Sequence, residues 1–329
     1  DKADHIVMSQ DGNNRNEGKW KLLKYEIHGR LTEERLIGEI RSQSQLQALF
    51  DSGNGYSLYA GTGQLLAIYM YDDYPAGTPA LIETDPNITA ERMIPANVLN
   101  GSPKSLKVYE KIAILGESSA GFIERWFYYD KKSRLIQTRE KNPEGYDTYI
   151  TLKYDFNGNV TDIYEKQQVK SGTADYLHTA NTYDHRFRLL WSSTKLNRTA
   201  VGSVEYTYNE TGQLIRRKYG NNYTEDLAYT LQGWLKSQTG SQFSMNLHYY
   251  DPVREPSNKL YSGNISEWEW KQGTSPLHTY AFSYDRLRSL SDSRSYRNGH
   301  ANQTYWERGP LYDLNGNLQP LHRNNVIGM

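Results

Sequence analysis

Residues 204–220 read V-E-Y-T-Y-N-E-T-G-Q-L-I-R-R-K-Y-G. Up to Tyr208, tyrosine alternates with polar residues, which is typical of a half-buried strand. Asn209 and Gly212 then stand at the first and fourth positions of a turn, where a type I turn favours Asn and Gly. A type I turn followed by a glycine bulge places Tyr208 opposite Leu214, so the stretch predicts a β-hairpin.

The same frame recurs along the chain. With each Tyr counted as zero, a turn opener follows at +1, Gly at +4 and an apolar residue at +6. Among eight frames, +6 is apolar in all, Gly fills +4 in five, and Asp or Asn fills +1 in six. The recurrence predicts an all-β chain, an array of antiparallel hairpins in one long sheet. The residues that define these repeats are Tyr25, Gly29, Leu31, Tyr129, Asp130, Leu135, Tyr154, Asp155, Gly158, Val160, Tyr183, Asp184, Leu189, Tyr208, Gly212, Leu214, Tyr229, Gly233, Leu235, Tyr284, Asp285, Leu290, Tyr312, Asp313, Gly316 and Leu318.

Composition excludes several classes of partner. Lys plus Arg and Asp plus Glu both number 38, so the basic surplus expected of a nucleic-acid or anionic-membrane binder is missing. The longest apolar run, residues 65–71, is too short to span a bilayer. Cysteine is absent, which leaves the redox compartment open. The 28 Tyr against 7 Phe suit a thin β-wall, because a tyrosine ring is buried while its hydroxyl reaches water.

Two regions differ in character. Residues 1–115 combine a polar lead-in, one frame, a short helix at 43–51 and a Pro-rich loop. Ser42 with Gln45 predicts the helix start as a capping box. Residues 55–74 alternate apolar residues around two glycines and predict another hairpin. Residues 116–329 carry the dense array, with frames 21–29 residues apart up to Tyr229, which is the spacing of repeat architectures.

Motifs for catalysis, metals or cofactors are weak. Asp155 and Asp313 begin runs that resemble calcium loops, but the sixth residues are Val160 and Leu318 instead of the required Gly. The eight His residues include no pair at i, i+3 or i, i+4. We therefore expect no enzyme activity, no cofactor and no metal site.

The sharpest candidate site is residues 267–270, E-W-E-W. On a strand, Trp268 and Trp270 face one side and Glu267 and Glu269 the other. Exposed indoles would bind a ligand by stacking on sugar rings, and paired carboxylates are what glycosidases use. Packing of the two Trp against the wall is the favoured interpretation, ligand binding by them is the alternative, and hydrolysis lacks a recognisable catalytic group.

The frame resembles the YD repeat of Rhs-family proteins, which is shared with insecticidal toxin-complex shell subunits and teneurins. The nearest matches are residues 155–160, D-F-N-G-N-V, and 313–318, D-L-N-G-N-L. Residues 261–266, Y-S-G-N-I-S, resemble a stretch of Bacteroidetes members of that family. The resemblance covers 122–322 well, 20–75 in patches, and 75–120 not at all.

This resemblance implies a long sheet that spirals into a hollow shell, often around a toxic C-terminal segment. The expected function is a non-enzymatic shell segment of a bacterial secreted or cell-surface protein, which encloses or presents another polypeptide in toxin delivery or intercellular competition. Its partners would be other segments of a longer parent polypeptide or its C-terminal cargo. The alternative is a cell-surface adhesin module that binds a glycan or a surface protein through Trp268 and Trp270.

The ends of the chain suggest a longer parent. Asp1 is not an initiator, and the last frame ends a few residues before Met329 without a polar cap. We expect a processed product or a piece of a longer polypeptide. Shells of the family commonly end in a region with an aspartate-based self-cleavage motif; here Asp251-Pro252 is isolated in the array, so no cleavage is assigned to this chain.

Overall fold

Nearly all regular structure in this computed structural model is antiparallel β, which confirms the predicted fold class. The helices are short, and one of them is the predicted helix at 43–51. The structure describes residues 3–98, 101, 103–116, 121–168, 172–302, 307–308, 312–313, 315–318, 321–323 and 326–328.

The elements follow one another in a simple order. The helices are α1 Gly12–Asn16, α2 Gln43–Asp51 and α3 Gly55–Leu58, with a 3₁₀ turn at Ala96–Val98. The strands are β1 Met8–Ser9, β2 Lys19–Tyr25, β3 Leu31–Gly38, β4 Gln64–Tyr71, β5 Lys107–Ala113, β6 Phe122–Tyr129, β7 Leu135–Lys141, β8 Asp147–Tyr154, β9 Val160–Gln167, β10 Asp175–Tyr183, β11 Leu189–Leu196, β12 Thr199–Tyr208, β13 Leu214–Tyr219, β14 Thr224–Tyr229, β15 Leu235–Gly240, β16 Phe243–His248, β17 Glu267–Gln272, β18 His278–Tyr284, β19 Leu290–Arg297, β20 His300–Ala301, β21 Glu307–Arg308, β22 Leu321–Arg323 and β23 Val326–Gly328.

The chain divides into two compact units. The first holds residues 1–181 and 193–201, and the second holds 182–192 and 202–329. The predicted change of character at 115/116 falls inside the first unit and stays a prediction about the sequence.

The first unit is a meander in which each strand from β1 to β10 pairs with the next. Apolar side chains are buried on it in three clusters. Helix α2 contributes Leu46 and Phe50 to one of them, and residues 75–98 contribute Ile88, Met93 and Ile94 to the others. The first unit therefore has an apolar core beneath a helix and a long loop.

The second unit continues the same pattern from β12 to β19, with each strand antiparallel to its neighbour. Strand β19 also pairs with β20 and β21, and β21 to β23 continue in sequence. Among the residues described in this unit, the buried apolar side chains are Leu227, Tyr249 and Ala281.

Helix α2 begins as the capping box predicts. The Ser42 Oγ accepts from the Gln45 backbone N–H, and the Gln45 side chain accepts from the Ser42 backbone N–H. Both bonds satisfy amides that have no partner inside the helix.

Two local predictions are wrong. Residues 55–74 form no hairpin of their own: they make helix α3 and then β4, which pairs with β3 and β5. Tyr56 and Tyr59, three residues apart, share a helix side and both pack on Phe50, so helical spacing prevails over alternation. The polar lead-in, for which its composition favours a frayed segment, instead contains β1 and helix α1, which Asp11 caps by accepting from the Asn14 N–H at 2.8 Å.

Candidate functional site

The repeated turn has one geometry in all eight frames. The +1 N–H donates to the +5 carbonyl, and the +4 N–H donates to the +1 carbonyl. Every +4 residue has a positive φ, from 60° at Ser133 to 98° at Gly158. Tyr208 lies opposite Leu214, with a one-residue bulge beside it, and the frames beginning at Tyr25, Tyr129, Tyr154, Tyr229, Tyr284 and Tyr312 pair their +6 residue in the same way.

The side chain at +1 fastens this turn. In the frame of Tyr183, the Asp184 Oδ1 accepts from the backbone N–H groups of Arg186 and Arg188 at 2.8 and 3.0 Å. Asp285 and Asp313 accept from the same two positions of their own turns. An Asp or Asn oxygen at +1 therefore satisfies amides that the tight turn leaves without a strand partner.

The +5 position completes the turn, and the sequence analysis missed it. It is Arg, Asn or Gln in six of the eight frames, which is the signal that was available. Arg134 and Arg188 each donate from Nε to the aspartate at +1 at 2.7 Å. Partial burial opposes ionisation of Asp184, but hydrogen bonds from Arg188 outweigh it and lower the pKa of this carboxyl to about 2.

The frame tyrosine joins one hairpin to the hairpin before it. The Tyr154 hydroxyl donates to the carbonyl of Leu135, which is the +6 residue of the preceding frame, at 2.7 Å. The same bond joins Tyr208 to Leu189 at 2.9 Å, and Tyr229 to Leu214 at 2.8 Å. Tyr249, which begins none of the eight frames, donates likewise to the Leu235 carbonyl at 2.9 Å.

Arginine at +5 covers the tyrosine ring in two of these junctions. The Arg134 guanidinium lies 4.5 Å above the Tyr154 ring, and Arg188 lies 4.6 Å above the Tyr208 ring. Burial raises the pKa of Tyr154 and of Tyr208, so both hydroxyls stay protonated as donors at neutral pH. The repeat is thus a junction of Tyr and a backbone carbonyl as well as a turn, and Arg joins that junction at Tyr154 and Tyr208.

The two runs that resemble calcium loops form hydrogen bonds within their own turns. Asp155 accepts from the Asn159 backbone N–H at 2.9 Å and from the Asn159 amide at 2.8 Å. The amide of Asn159 holds the pKa of Asp155 below its ordinary value. Asp313 makes the same pair of bonds with Asn317. Within the described residues, no group of three or more His, Asp or Glu side chains is arranged to hold a metal ion.

Glu267 anchors the segment between β16 and β17, residues 249–266. We call this segment the second strap, because a comparable segment, described below, comes earlier in the chain. The Glu267 side chain is fully buried, and it accepts the backbone N–H groups of Val253, Arg254 and Glu255 at 2.6 to 2.7 Å. Three consecutive amides directed at one carboxylate compensate for the burial of its charge. Glu267 therefore holds the second strap through both of its carboxylate oxygens.

Glu269 lies on the same side of β17 and is 9% exposed. Its Oε2 is 3.2 Å from the His248 Nε2, and the His248 Nδ1 is 3.7 Å from Asp251. The two carboxylates thus share a side, as the strand geometry predicts, but one holds the second strap and the other contacts an imidazole.

Trp268 and Trp270 lie on the opposite side of β17, in a surface that we call the aromatic face. Register brings eight side chains of β16, β17 and β18 to this face, and all are partly exposed. They are Phe243, Met245, Leu247, Trp268, Trp270, His278, Tyr280 and Phe282.

The rings of the aromatic face stack on one another. Trp270 stacks on His278 at 4.5 Å with an 11° interplanar angle, and Trp268 stacks on Tyr280 at 6.0 Å. Both indole Nε1 atoms are buried, and neither meets an acceptor among the described residues. Each indole ring therefore already stacks on a neighbouring ring of the protein, which reduces the ring surface left for a sugar. The buried indole N–H groups do not face solvent, where a ligand would accept from them.

A second irregular segment is held on the first unit. Residues 74–94, which we call the first strap, are bound both by hydrogen bonds to their backbone and by burial of apolar side chains. Gln137, fully buried, accepts from the Ile82 N–H at 2.9 Å and donates to the Ile82 carbonyl at 2.8 Å. Tyr128 donates to the Pro79 carbonyl at 2.6 Å, and Arg139 donates to the Ala80 carbonyl. No sequence motif predicted these contacts, because they join residues about 50 positions apart.

Comparison with known proteins yields distant structural neighbours. No family model matches the chain, and no curated protein matches it. The crystal structure of TcdB2-TccC3-TEV aligns with 92% of this chain and 17% of its own at a TM-score of 0.30 and 11% identity. TcdB2-TccC3 without its hypervariable C-terminal region aligns with 92% and 20% at a TM-score of 0.21 and 11% identity. A porin-like protein from Bacteroides uniformis aligns with 58% and 90% at a TM-score of 0.27 and 10% identity.

The chain thus spans about a fifth or less of the two TcdB2-TccC3 structures. With all three TM-scores below 0.5, the functional assignment depends on the residues of the chain itself. No helix in the described residues is long and apolar enough to cross a membrane.

Proposed function

We propose that this chain is a non-enzymatic structural segment of a β-wall that encloses or presents another polypeptide. The observation that carries the proposal is the repeated junction, in which a tyrosine hydroxyl of one hairpin donates to the +6 carbonyl of the hairpin before it. Such bonds make stability a property of neighbouring repeats, as in other repeat architectures. The turn geometry repeated in all eight frames supports a scaffold role for the array.

The straps support the second half of the proposal. Both are irregular segments held on the sheet by side chains that bind backbone groups: Gln137 on Ile82 in the first unit, and Glu267 on three amides in the second. Backbone-directed bonds accept many sequences, so a sheet of this kind can hold an extended polypeptide without a dedicated sequence motif. Other segments of a longer parent polypeptide, or its C-terminal cargo, are the proposed occupants.

The setting that we propose is a bacterial secreted or cell-surface protein of the Rhs type, acting in toxin delivery or intercellular competition. The support is the residue pattern: the YD-like frames at Tyr154 and Tyr312, and the turn chemistry that their Asp and Gly residues perform. The absence of a basic surplus agrees with a polypeptide partner in preference to a nucleic acid.

Protease protection tests the enclosing function. The complete reading frame that encodes this chain is expressed, and the segment encoded downstream is followed by mass spectrometry during digestion with trypsin. We expect that segment to be digested at least tenfold more slowly in the parent protein than when it is expressed alone. Equal rates would refute enclosure. The digestion rate is also measured in a parent protein that carries Glu267→Ala, in which the second strap has lost its anchor.

The alternative function is an adhesin-like binding module that uses the aromatic face. The observation in its favour is the alignment of seven partly exposed apolar side chains, together with His278, on three adjacent strands, since exposed apolar surface of this kind marks interaction sites. Its test is tryptophan fluorescence. A glycan ligand should quench or shift the emission, and a variant with Trp268→Ala and Trp270→Ala should remain folded and lose the response; no change with a panel of bacterial polysaccharides would refute glycan binding.

A further inference from the structure

A cleft of about 530 Å³ lies in the first unit, between the N-terminal residues and helix α2. Its volume is within the range of about 300–1,000 Å³ that is usual for binding sites. One wall is residues 4–10, and the other wall is helix α2. The side chains that line it beyond residues 4–10 are Arg15, Trp20, Gln43, Leu46, Gln47 and Phe50.

The wall made by residues 4–10 contains strand β1, Met8–Ser9, at the outer edge of a sheet. Strand β1 pairs with β2 through Met8 opposite Leu22, and the Val7 carbonyl accepts from the Leu23 N–H at 2.9 Å. In an antiparallel ladder, alternate residues direct both backbone groups to the same side. The Met8 N–H and C=O therefore point away from β2, and no strand of the described residues pairs with them.

Helix α2 lies beside this edge and gives the cleft a floor and a rim. Leu46 and Phe50 are buried in the floor, at 4% and 5% exposure, while Gln43 and Gln47 are exposed on the rim. A groove between a strand edge and a helix is the arrangement in which strand-adding modules take up extended peptides. The edge supplies backbone hydrogen bonds, and the floor takes alternate side chains.

We propose that this cleft binds an extended strand of another polypeptide, which adds to the outer edge of β1 antiparallel or parallel to it. The occupant follows from continuity with the β1–β2 ladder, whose next backbone groups are those of Met8. Its chemistry follows from the lining. Among the lining residues Asp4 and Arg15 carry one charge of each sign, so the site suits an uncharged strand with apolar and polar residues in alternation. This site does not depend on the enclosing function proposed above.

The test uses a blocked seven-residue peptide of alternating Thr and Val, labelled with a fluorophore, and measures anisotropy with the full chain. Met8→Pro removes the outward N–H and leaves the inward groups of Val7 and Ser9 in place, a change that an edge strand tolerates. Met8→Ala is the matched control, because it shortens the same side chain and keeps the N–H. We expect at least tenfold weaker binding for Met8→Pro than for Met8→Ala.

Hydrogen exchange locates the bound peptide. In the original chain, the peptide should slow exchange of the Met8 amide at least tenfold, with little change at Leu23, whose amide is already bonded. A second variant, Gln47→Trp, fills the cleft from the helix side without altering β1, and should also weaken binding at least tenfold. Absence of peptide binding, equal binding by Met8→Pro and Met8→Ala, or protection confined to residues outside 4–10 and helix α2 would each overturn the proposal.

Discussion

The two units use the same hairpin turn but stabilise the sheet surface by different chemistry. The first unit buries three apolar clusters beneath helix α2 and the first strap. The second unit buries Glu267 and Glu269 on one side of β17, and leaves the aromatic face partly exposed on the other. The comparison shows that the repeat determines strand pairing, while the inserted segments determine what each face of the sheet contacts.

The largest expected effect comes from removing an apolar side chain of the first unit. Ile94 is fully buried in a cluster with Val108, Trp126 and Ile136, so Ile94→Ala should lower the free energy of unfolding by about 2–5 kcal/mol. The matched change in the second unit, Leu227→Ala, should lower the free energy of unfolding by about 2 kcal/mol or less. Fewer buried apolar side chains surround Leu227, so the cavity left by the truncated side chain should be smaller. Hydrogen exchange of β6 and of β14 measures the two losses separately. A larger loss for Leu227→Ala would contradict the comparison.

The second unit should be most sensitive at its polar anchor. Glu267→Ala leaves three amides of the second strap without an acceptor, which should cost about 3 kcal/mol at about 1 kcal/mol for each unsatisfied group, the lower end of the usual range. Cleavage within residues 249–266 by limited proteolysis should become several-fold faster. Glu269→Ala is the control, since its described polar contact is one His248 nitrogen. Equal proteolysis of the two variants would contradict the anchor.

The turn that both units share should respond equally in both. Gly158 in the first unit and Gly212 in the second have φ of 98° and 94°, so a valine at either should cost about 1–3 kcal/mol. Gly202, in strand β12, has no positive φ and open space at its Cβ position, so Gly202→Val is the matched control. Thermal melts of the three variants give the comparison. If Gly212→Val has the same melting temperature as Gly202→Val, the prediction that a valine strains the bulge is wrong.

The tyrosine junction is a smaller effect that should also be equal in both units. Tyr154→Phe and Tyr208→Phe each remove one hydroxyl-to-carbonyl bond, at a cost of about 0.5–1.5 kcal/mol. Tyr261 is 73% exposed, so Tyr261→Phe should be neutral. Urea denaturation resolves these differences. If Tyr154→Phe and Tyr208→Phe are as neutral as Tyr261→Phe, the junction does not couple the repeats.

The sequence predicted the features that depend on near neighbours along the chain. Turns, bulges, the cap of helix α2 and the alternation of β17 all follow from residues within about six positions of one another. Three non-glycine residues at +4, Ser133, Phe187 and Arg288, adopt the same positive φ, which shows that the frame outweighs the preference of a single residue.

Contacts between distant segments could not be predicted in this way. The bonds of Gln137 to Ile82, and of Glu267 to Val253, depend on where an irregular segment returns to the sheet. The tyrosine junction also joins residues of neighbouring repeats. It could have been predicted, however, because the sequence places Arg at +5 of one frame and Tyr at the start of the next. Local periodicity therefore determines pairing, and packing of the inserted segments requires the structure.

The smallest expected effect is an acid sensitivity that distinguishes an aspartate turn from an asparagine turn. Because the pKa of Asp184 is lowered from 3.8 to about 2, its ionised form stabilises the fold above about pH 4, and that contribution disappears as the pH falls towards 2. Asp184→Asn keeps an acceptor at +1, as Asn209 does naturally, but removes the titration. Urea denaturation at several pH values should show the original chain more stable above pH 4, with the difference shrinking between pH 4 and 2. A difference that is constant over this range would mean that the Asp184–Arg188 contact contributes no charge-dependent stability in this turn.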